Sequence, residues 1–144
     1  MNRIKQQATG KDVTLKVILD SNFLFVPLQF RIDIFSGMAD LLKQRFEPIL
    51  LSTTHQELQR IAERGPPKLR KQAATALRFA EKCRVVDVEK SEDETNDDAI
   101  VRVAAQWRCP VATNDRTLRQ RLRDISIPVI YLRQKSRLEL EGSI

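Results

Sequence analysis

The chain has 144 residues, of which 42% are hydrophobic and 31% are charged, a composition typical of one soluble globular domain. No apolar run approaches the ~20 residues of a membrane span, and the formal net charge of +6 favours a polyanionic partner, nucleic acid before membrane. The two cysteines, Cys83 and Cys109, lie in no CxxC or Cys/His cluster, which argues against a structural zinc site.

Short apolar runs alternate with amphipathic stretches along the chain, which predicts strands alternating with helices and a parallel sheet. The first strand is predicted over Leu15–Leu19, and the segment after it starts helically and is interrupted at Pro27. The sequence IDIFSGMADLLKQRF then places apolar residues at helical spacing. The second strand is predicted over Pro48–Ser52, followed by a helix over Thr54–Arg64 that Gly65 and two prolines end.

The second half of the chain continues this alternation. PKLRKQAATALRFAEKC predicts a helix, RVVDV a third strand, DDAIVRVAAQW a helix, PVAT a fourth strand, RTLRQRLRDI a helix and PVIYL a fifth strand. The inward-facing residues expected in the first of these helices are Leu69, Ala73, Leu77 and Ala80. Those expected in the last are Leu118, Leu122 and Ile125.

These elements predict one folded domain over residues 15–133, with a polar leader over residues 1–14 and a polar tail over residues 134–144. The expected fold is a three-layer α/β/α sandwich around a central, mostly parallel five-stranded sheet. Because the leader lacks the apolar core of a signal peptide, the expected location is cytoplasmic.

Acidic residues are predicted to gather at one edge of this sheet. Asp20 ends the first strand, Asp115 follows the fourth, and Glu57 and the doublet Asp97–Asp98 lie near the starts of intervening helices. Open parallel sheets bind ligands beyond the carboxyl ends of their strands, which is where these acids fall. Clustered carboxylates need protons or cations to neutralise them, and oxygen ligands without histidine or thiolate select Mg²⁺ or Mn²⁺. Such a site can assist in-line attack of water on a phosphate.

Each acid also has a structural interpretation. Glu57 and Asp98 each stand three residues after a threonine, as in a capping box, and Asp20 and Asp115 could cap the helices that follow them. Taken singly, capping is the better interpretation of Glu57 and an equal one for Asp98. Taken together, the acids at strand ends favour the metal site.

Neighbouring polar residues complete the predicted site. The hydroxyls of Thr113 and Ser21 stand near the acids and could bind phosphate or water, although a structural hydroxyl is the favoured interpretation of either. The helix after the last acid carries basic residues on one face, which would hold a phosphate backbone without reading its sequence. These residues are Arg116, Arg119 and Arg123. His55 is the only histidine and the four glycines are scattered, which argues against a Ser/His/Asp triad, a P-loop and a dinucleotide fingerprint.

The motifs VILDSN, STTHQEL, NDDAIVRVA and VATNDRTLRQRL resemble the successive acidic motifs of PIN-domain nucleases, from about Lys16 to Gly142. PLQFRIDIF, NDDAIV and PVIYLRQKSRLELEG look like the branch that contains the ribosomal-RNA-processing endonuclease of the eukaryotic small-subunit processome and archaeal VapC-like ribonucleases. The resemblance implies a Mg²⁺- or Mn²⁺-dependent endoribonuclease that leaves a 5′-phosphate. The ligands it implies are Asp20, Glu57, Asp98 and Asp115. The alanine after Asp98 favours Asp98 over its neighbour Asp97, which is retained as a helper.

Three hypotheses follow from the residues and the resemblance together. The first is an endoribonuclease that cuts structured RNA, in particular precursor ribosomal RNA; the alternatives are a VapC-type toxin with an antitoxin partner and a non-catalytic RNA-binding factor of ribosome assembly. The resemblance also implies a homodimer, and no membrane partner is expected. A phosphatase of the haloacid dehalogenase type is disfavoured, because Asn22 stands where that chemistry needs a second acid.

Overall fold

A computed structural model describes residues 14–144, so the predicted leader lies outside the described residues except for Thr14. The strands are β1 (Leu15–Leu19), β2 (Phe46–Leu51), β3 (Arg84–Val86), β4 (Val111–Ala112), β5 (Val129–Arg133) and β6 (Arg137–Glu141). A 3-10 helix (Ser21–Phe25) precedes the α-helices, which are α1 (Val26–Phe30), α2 (Ile34–Leu42), α3 (Ser52–Arg64), α4 (Pro67–Ala80), α5 (Asn96–Trp107) and α6 (Arg116–Asp124).

The strands form one six-stranded sheet in the order β3-β2-β1-β4-β5-β6. The first five strands in this order are parallel, and β6 pairs with β5 in the antiparallel direction. The predicted α/β fold with a mostly parallel sheet is therefore confirmed, and the sheet has one strand more than predicted. The chain builds outward from β1 to β2 and β3 and then crosses back to β4, so the strand order reverses between β1 and β4.

Alternating side chains along the strands place two hydrophobic clusters on opposite faces of the sheet. In β1, Val17 and Leu19 belong to one cluster and Ile18 to the other, and all three are fully buried. In β2, Leu50 belongs to the first cluster and Ile49 to the second. This two-residue period is the geometry of a sheet covered by helices on both faces, so the three-layer arrangement follows from the apolar runs themselves.

Strand β6 lies within the segment that the sequence predicted as a tail. Its sequence RLELE alternates apolar and acidic residues, and Leu138 is buried against the core. The turn before it has positive φ at Gln134 and Lys135, as a type I′ turn requires, but contains neither the asparagine nor the glycine that normally signals this turn. A Cβ added at Gly37 would lie 2.9 Å from Leu138 Cδ1, so α2 approaches β6 closely because Gly37 has no side chain.

Three details of the helices differ from the sequence predictions. Pro27 does not interrupt a helix, because it lies in the first turn of α1, where its missing N–H is tolerated. Leu69 in α4 and Ile125 at the end of α6 were expected to face inward but are 44% and 46% exposed. Leu69 lies in the first turn of α4, and Ile125 directly follows the last residue of α6. Among residues 14–144, no helix has the length and apolar character needed to cross a membrane.

Candidate active site

The point where the strand order reverses is built from the ends of β1 and β4. Leu19 pairs with Ala112 in the register of these neighbouring strands, so Asp20 and Thr113 lie side by side just beyond the sheet. The Asp20 N–H donates a hydrogen bond of 3.0 Å to the carbonyl of Ala112, which ties the two chain segments together. Open α/β sheets bind ligands in the crevice at this position.

Asp20 is only 6% exposed as a residue, and its carboxylate accepts three hydrogen bonds. Its Oδ2 accepts from Thr113 Oγ1 at 2.8 Å and from Asn22 Nδ2 at 2.9 Å, while its Oδ1 accepts from the Ser21 N–H at 2.8 Å. Burial raises the pKa of Asp20 from its ordinary value of 3.8 to about 6, against the lowering effect of the Thr113 and Ser21 hydrogen bonds. The negative charges of neighbouring acids raise this pKa further. These acids are Asp97 and Glu57.

Asn22 is a site residue that the sequence interpretation missed. Besides donating to Asp20, its side chain accepts a hydrogen bond of 3.1 Å from the Asn114 N–H. Asn114 in turn accepts one of 2.8 Å from the Leu132 N–H in β5. The two amide side chains thus connect the ends of β1, β4 and β5. The sequence signal was an amide side chain two residues after the acid at the end of the strand, because at this spacing the amide can donate a hydrogen bond to the carboxylate.

The two aspartates at the start of α5, Asp97 and Asp98, have different surroundings. Thr95 and Asp98 form a reciprocal capping box with hydrogen bonds of 3.0 Å, and Arg121 lies 2.9 Å from the Asp98 carboxylate. These contacts lower the pKa of Asp98, the Thr95 backbone having the largest effect. The pKa of Asp97 is raised, first by burial and next by the charge of Asp115. Asp97 is therefore the member of the doublet that shares the negative field of the other acids.

Asp115 and Glu57 take different positions with respect to their helices. Asp115 caps α6, and its Oδ1 accepts from the N–H groups of Thr117 and Leu118. The capping interpretation of Glu57 does not hold, because α3 begins at Ser52 and its N-cap makes no side-chain hydrogen bond. Glu57 instead lies in the second turn, half-buried, where its charge acts on both Asp20 and Asp97.

Four acids therefore form an electrostatic group at the reversal point of the sheet, hereafter the acidic group. Its members are Asp20, Glu57, Asp97 and Asp115. Their donor atoms are all carboxylate oxygens, which suits a hard divalent cation. Within residues 14–144, no three His, Cys, Asp or Glu side chains lie close enough to enclose a metal ion as they stand.

The basic residues predicted on α6 are partly engaged within the protein. The Arg119 guanidinium stacks 4.1 Å from the Tyr131 ring centroid and lies 3.7 Å from the Glu141 carboxylate. Arg123 donates a hydrogen bond of 3.2 Å to the Ile127 carbonyl. Together with Arg116 they line a small cleft of about 150 Å³ beside α6. The predicted arginine face exists as a surface, but two of its three members have internal partners.

Comparison with known proteins identifies similar chains. A family model described as "PIN like domain" matches residues 17–135. Ribonuclease VapC4 of Methanocaldococcus jannaschii is 29% identical over 130 residues, which cover 90% of this chain and 98% of that protein. The rRNA-processing protein FCF1 of Saccharomyces cerevisiae is 34% identical over 118 residues, 80% of this chain but only 58% of FCF1. The solved structure of the PIN domain endonuclease Utp24 superposes with a TM-score of 0.72 at 31% identity, covering 90% of this chain and 92% of that one.

Proposed function

The chain belongs to the PIN-like domain family of nucleases, and from this premise we propose that it is a metal-dependent endoribonuclease that hydrolyses phosphodiester bonds in structured RNA. The relatives named ribonuclease and rRNA-processing protein support RNA as the substrate and precursor ribosomal RNA as its class. The observation that carries the proposal is the acidic group at the reversal point of the sheet, where Asp20 and Asp97 both have raised pKa values.

The proposed ligands of Mg²⁺ or Mn²⁺ are the members of the acidic group, with Asp97 in the role that the resemblance gave to Asp98. A raised carboxyl pKa means that the ionised form is disfavoured where no cation neutralises it, and a divalent cation would relieve that cost. When bound, the metal supplies a positive charge that neutralises the scissile phosphate and lowers the pKa of water. Asp98, by contrast, is engaged by its capping box and Arg121.

The chain's own residues would orient the reaction. Thr113 and Asn22 hold Asp20 Oδ2 from two sides, which fixes the direction in which this carboxylate presents its remaining lone pairs. Asp115 commits Oδ1 to the N-terminus of α6, so its Oδ2 is the oxygen that can face a ligand. The contacts that could hold RNA beside this site come from arginine side chains and would bind phosphates without reading bases.

The test is cleavage of a precursor ribosomal RNA fragment by wild-type protein, Asp20→Asn and Asp33→Asn, purified identically. Asp33 provides the matched control, because it is also a helix-capping aspartate but is exposed and lies outside the acidic group. We expect wild type and Asp33→Asn to cut with Mn²⁺ or Mg²⁺, EDTA to stop both, and Asp20→Asn to be inactive. Equal cleavage by Asp20→Asn would refute the proposal, and RNA binding without cleavage by any protein would favour an assembly factor.

A second candidate is a toxin ribonuclease paired with an antitoxin, which the similarity to VapC4 across 90% of the chain supports. The chemistry would be the same, and the target and partner would differ. Growth arrest on expression, relieved by Asp20→Asn or by a co-expressed antitoxin, would favour this role. Normal growth together with cleavage confined to a precursor ribosomal RNA would favour processing.

A further inference from the structure

An open cleft of about 600 Å³ lies between the C-terminal part of α3 and the N-terminal half of α4. Its lining combines small apolar residues with three cations and contains no acid. The lining residues are Ala62, Pro67, Lys68, Arg70, Lys71 and Ala74. All three cationic side chains are exposed. We call Lys68, Arg70 and Lys71 the α4 cations.

The charge of this region accounts for much of the charge of the protein. Helix α4 contains the α4 cations and Arg78 and no acidic residue, which gives it a formal charge of +4, compared with +6 for the whole chain. Between Arg60 and Arg78, Glu63 is the only acid. A field of one sign over one face attracts a polyanion and raises its rate of association.

Arg119 and Arg121 of α6 pair with Glu141 and Asp98, whereas the α4 cations have no ionic partner among residues 14–144. They also stand at the beginning of their helix, where positive charge opposes the helix dipole. Helix α4 has neither an acid in its first turn nor a side-chain N-cap to offset this. A local conflict of this kind is expected where a surface serves a function rather than the fold.

We propose that this cleft is a second RNA-contact surface, at which the α4 cations bind the phosphate backbone of the substrate; the inference rests on the proposed action on RNA. RNA phosphate is the occupant that charge complementarity favours, because the cleft presents three unpaired cations and no acid. Contacts to phosphate groups carry no direct information about the bases. Binding at this surface is therefore expected to be independent of the RNA sequence.

The position of the cleft separates it from the acidic group. Glu57 and Ala62 are five residues apart on α3, so the cleft begins about 7.5 Å along the helix axis from this member of the acidic group. An RNA must therefore extend beyond the acidic group to contact both surfaces.

The test measures RNA affinity by fluorescence anisotropy in a full-length Asp20→Asn parent, which keeps the RNA intact. One variant carries Lys68→Gln, Arg70→Gln and Lys71→Gln. The matched control carries Lys43→Gln, Lys90→Gln and Lys135→Gln, three exposed lysines elsewhere, so both proteins lose the same charge. We expect the first variant alone to lose about tenfold or more in affinity for a long RNA. Its salt dependence should also weaken, by about 2 in the slope of log K against log salt for three lost phosphate contacts.

Thermal unfolding distinguishes a lost contact from a lost fold. The first variant should melt at or above the temperature of its parent, since it removes unfavourable charge from a helix start. Equal affinity losses in variant and control, or unchanged affinity while wild type cleaves RNA, would overturn this inference and leave the proposed function standing. Absence of both RNA binding and cleavage would overturn the two together. Binding of phosphatidylserine vesicles through the α4 cations, with RNA affinity unchanged, would also overturn it.

Discussion

Replacing Asp20 by asparagine is expected to stabilise the metal-free protein while removing its response to metal. Burial raises the pKa of Asp20 from 3.8 to about 6, so the ionised carboxylate costs about 3 kcal/mol at neutral pH, at 1.36 kcal/mol for each pKa unit. The amide in Asp20→Asn can accept hydrogen bonds only through one oxygen, and losing the bond from Asn22 costs about 1 kcal/mol. The net gain is about 2 kcal/mol, or about 6 °C in Tm for a domain of this size.

The sign of the pH dependence follows from the direction of the shift. The folded protein holds the Asp20 proton more tightly than the unfolded chain, so this group favours folding below pH 3.8 and loses that contribution as the pH rises through about 6. The Tm difference between Asp20→Asn and wild type should therefore be largest at pH 7 and above and should shrink as the pH falls toward 4.

The assay is thermal unfolding in EDTA and again with Mn²⁺, with Asp33→Asn as the control. Asp33 caps α2 in an exposed position, and asparagine is as good a cap as aspartate, so its Tm should change little. Mn²⁺ should raise the Tm of wild type and of the control by mass action and leave Asp20→Asn unchanged. A lower Tm for Asp20→Asn in EDTA at pH 7 would refute the reasoning, because the carboxylate would then be a net stabilising cap.

Other substitutions test separate parts of the account. Asn22→Ala should slow RNA cleavage by about 10- to 100-fold, the usual cost of losing a partner of a metal ligand; unchanged initial rates would remove its orienting role. Thr95→Ala should lower stability by about 1 kcal/mol in urea unfolding without stopping cleavage, because it removes only a helix cap. Leu138→Ala should cost about 2 to 3 kcal/mol, since β6 packs on α2, whereas Leu69→Ala at an exposed position should cost little; equal costs would contradict the assignment of β6 to the core.

The fold could be predicted from the sequence where apolar runs are continuous. Such runs predict strands β1 and β5. The helical spacing of apolar residues predicts the helices, and Gly65 with the two prolines after it predicts the end of α3. Strand β6 escaped prediction because its turn reaches positive φ at Gln134 and Lys135, residues that give no turn signal. Its inward residue Leu138 also depends on a space left by Gly37, a contact between distant parts of the chain.

The acidic group could be predicted in outline, because each strand end places its acid on the same edge of the sheet. Whether Asp97 or Asp98 belongs to the acidic group depends on the rotation of α5 about its axis, because adjacent residues of a helix point in different directions. The sequence supplied both a capping threonine and an alanine pattern that favoured Asp98, whereas in the structure Asp98 contacts Thr95 and Arg121, and burial and the charges of Asp115 and Glu57 raise the pKa of Asp97. The role of Asn22 depends on Asn114 and Thr113, which are far away in sequence.

The most direct measurement compares Asp97→Asn with Asp98→Asn in cleavage of a precursor ribosomal RNA fragment with Mn²⁺ and with EDTA. The two substitutions are chemically identical and adjacent, and only one of them removes a charge from the acidic group. We expect Asp98→Asn to cut nearly as fast as wild type, Asp97→Asn not to cut, and EDTA to stop all cleavage. Full activity of Asp97→Asn, or cleavage that continues in EDTA, would contradict the claim that this acidic group holds the catalytic metal.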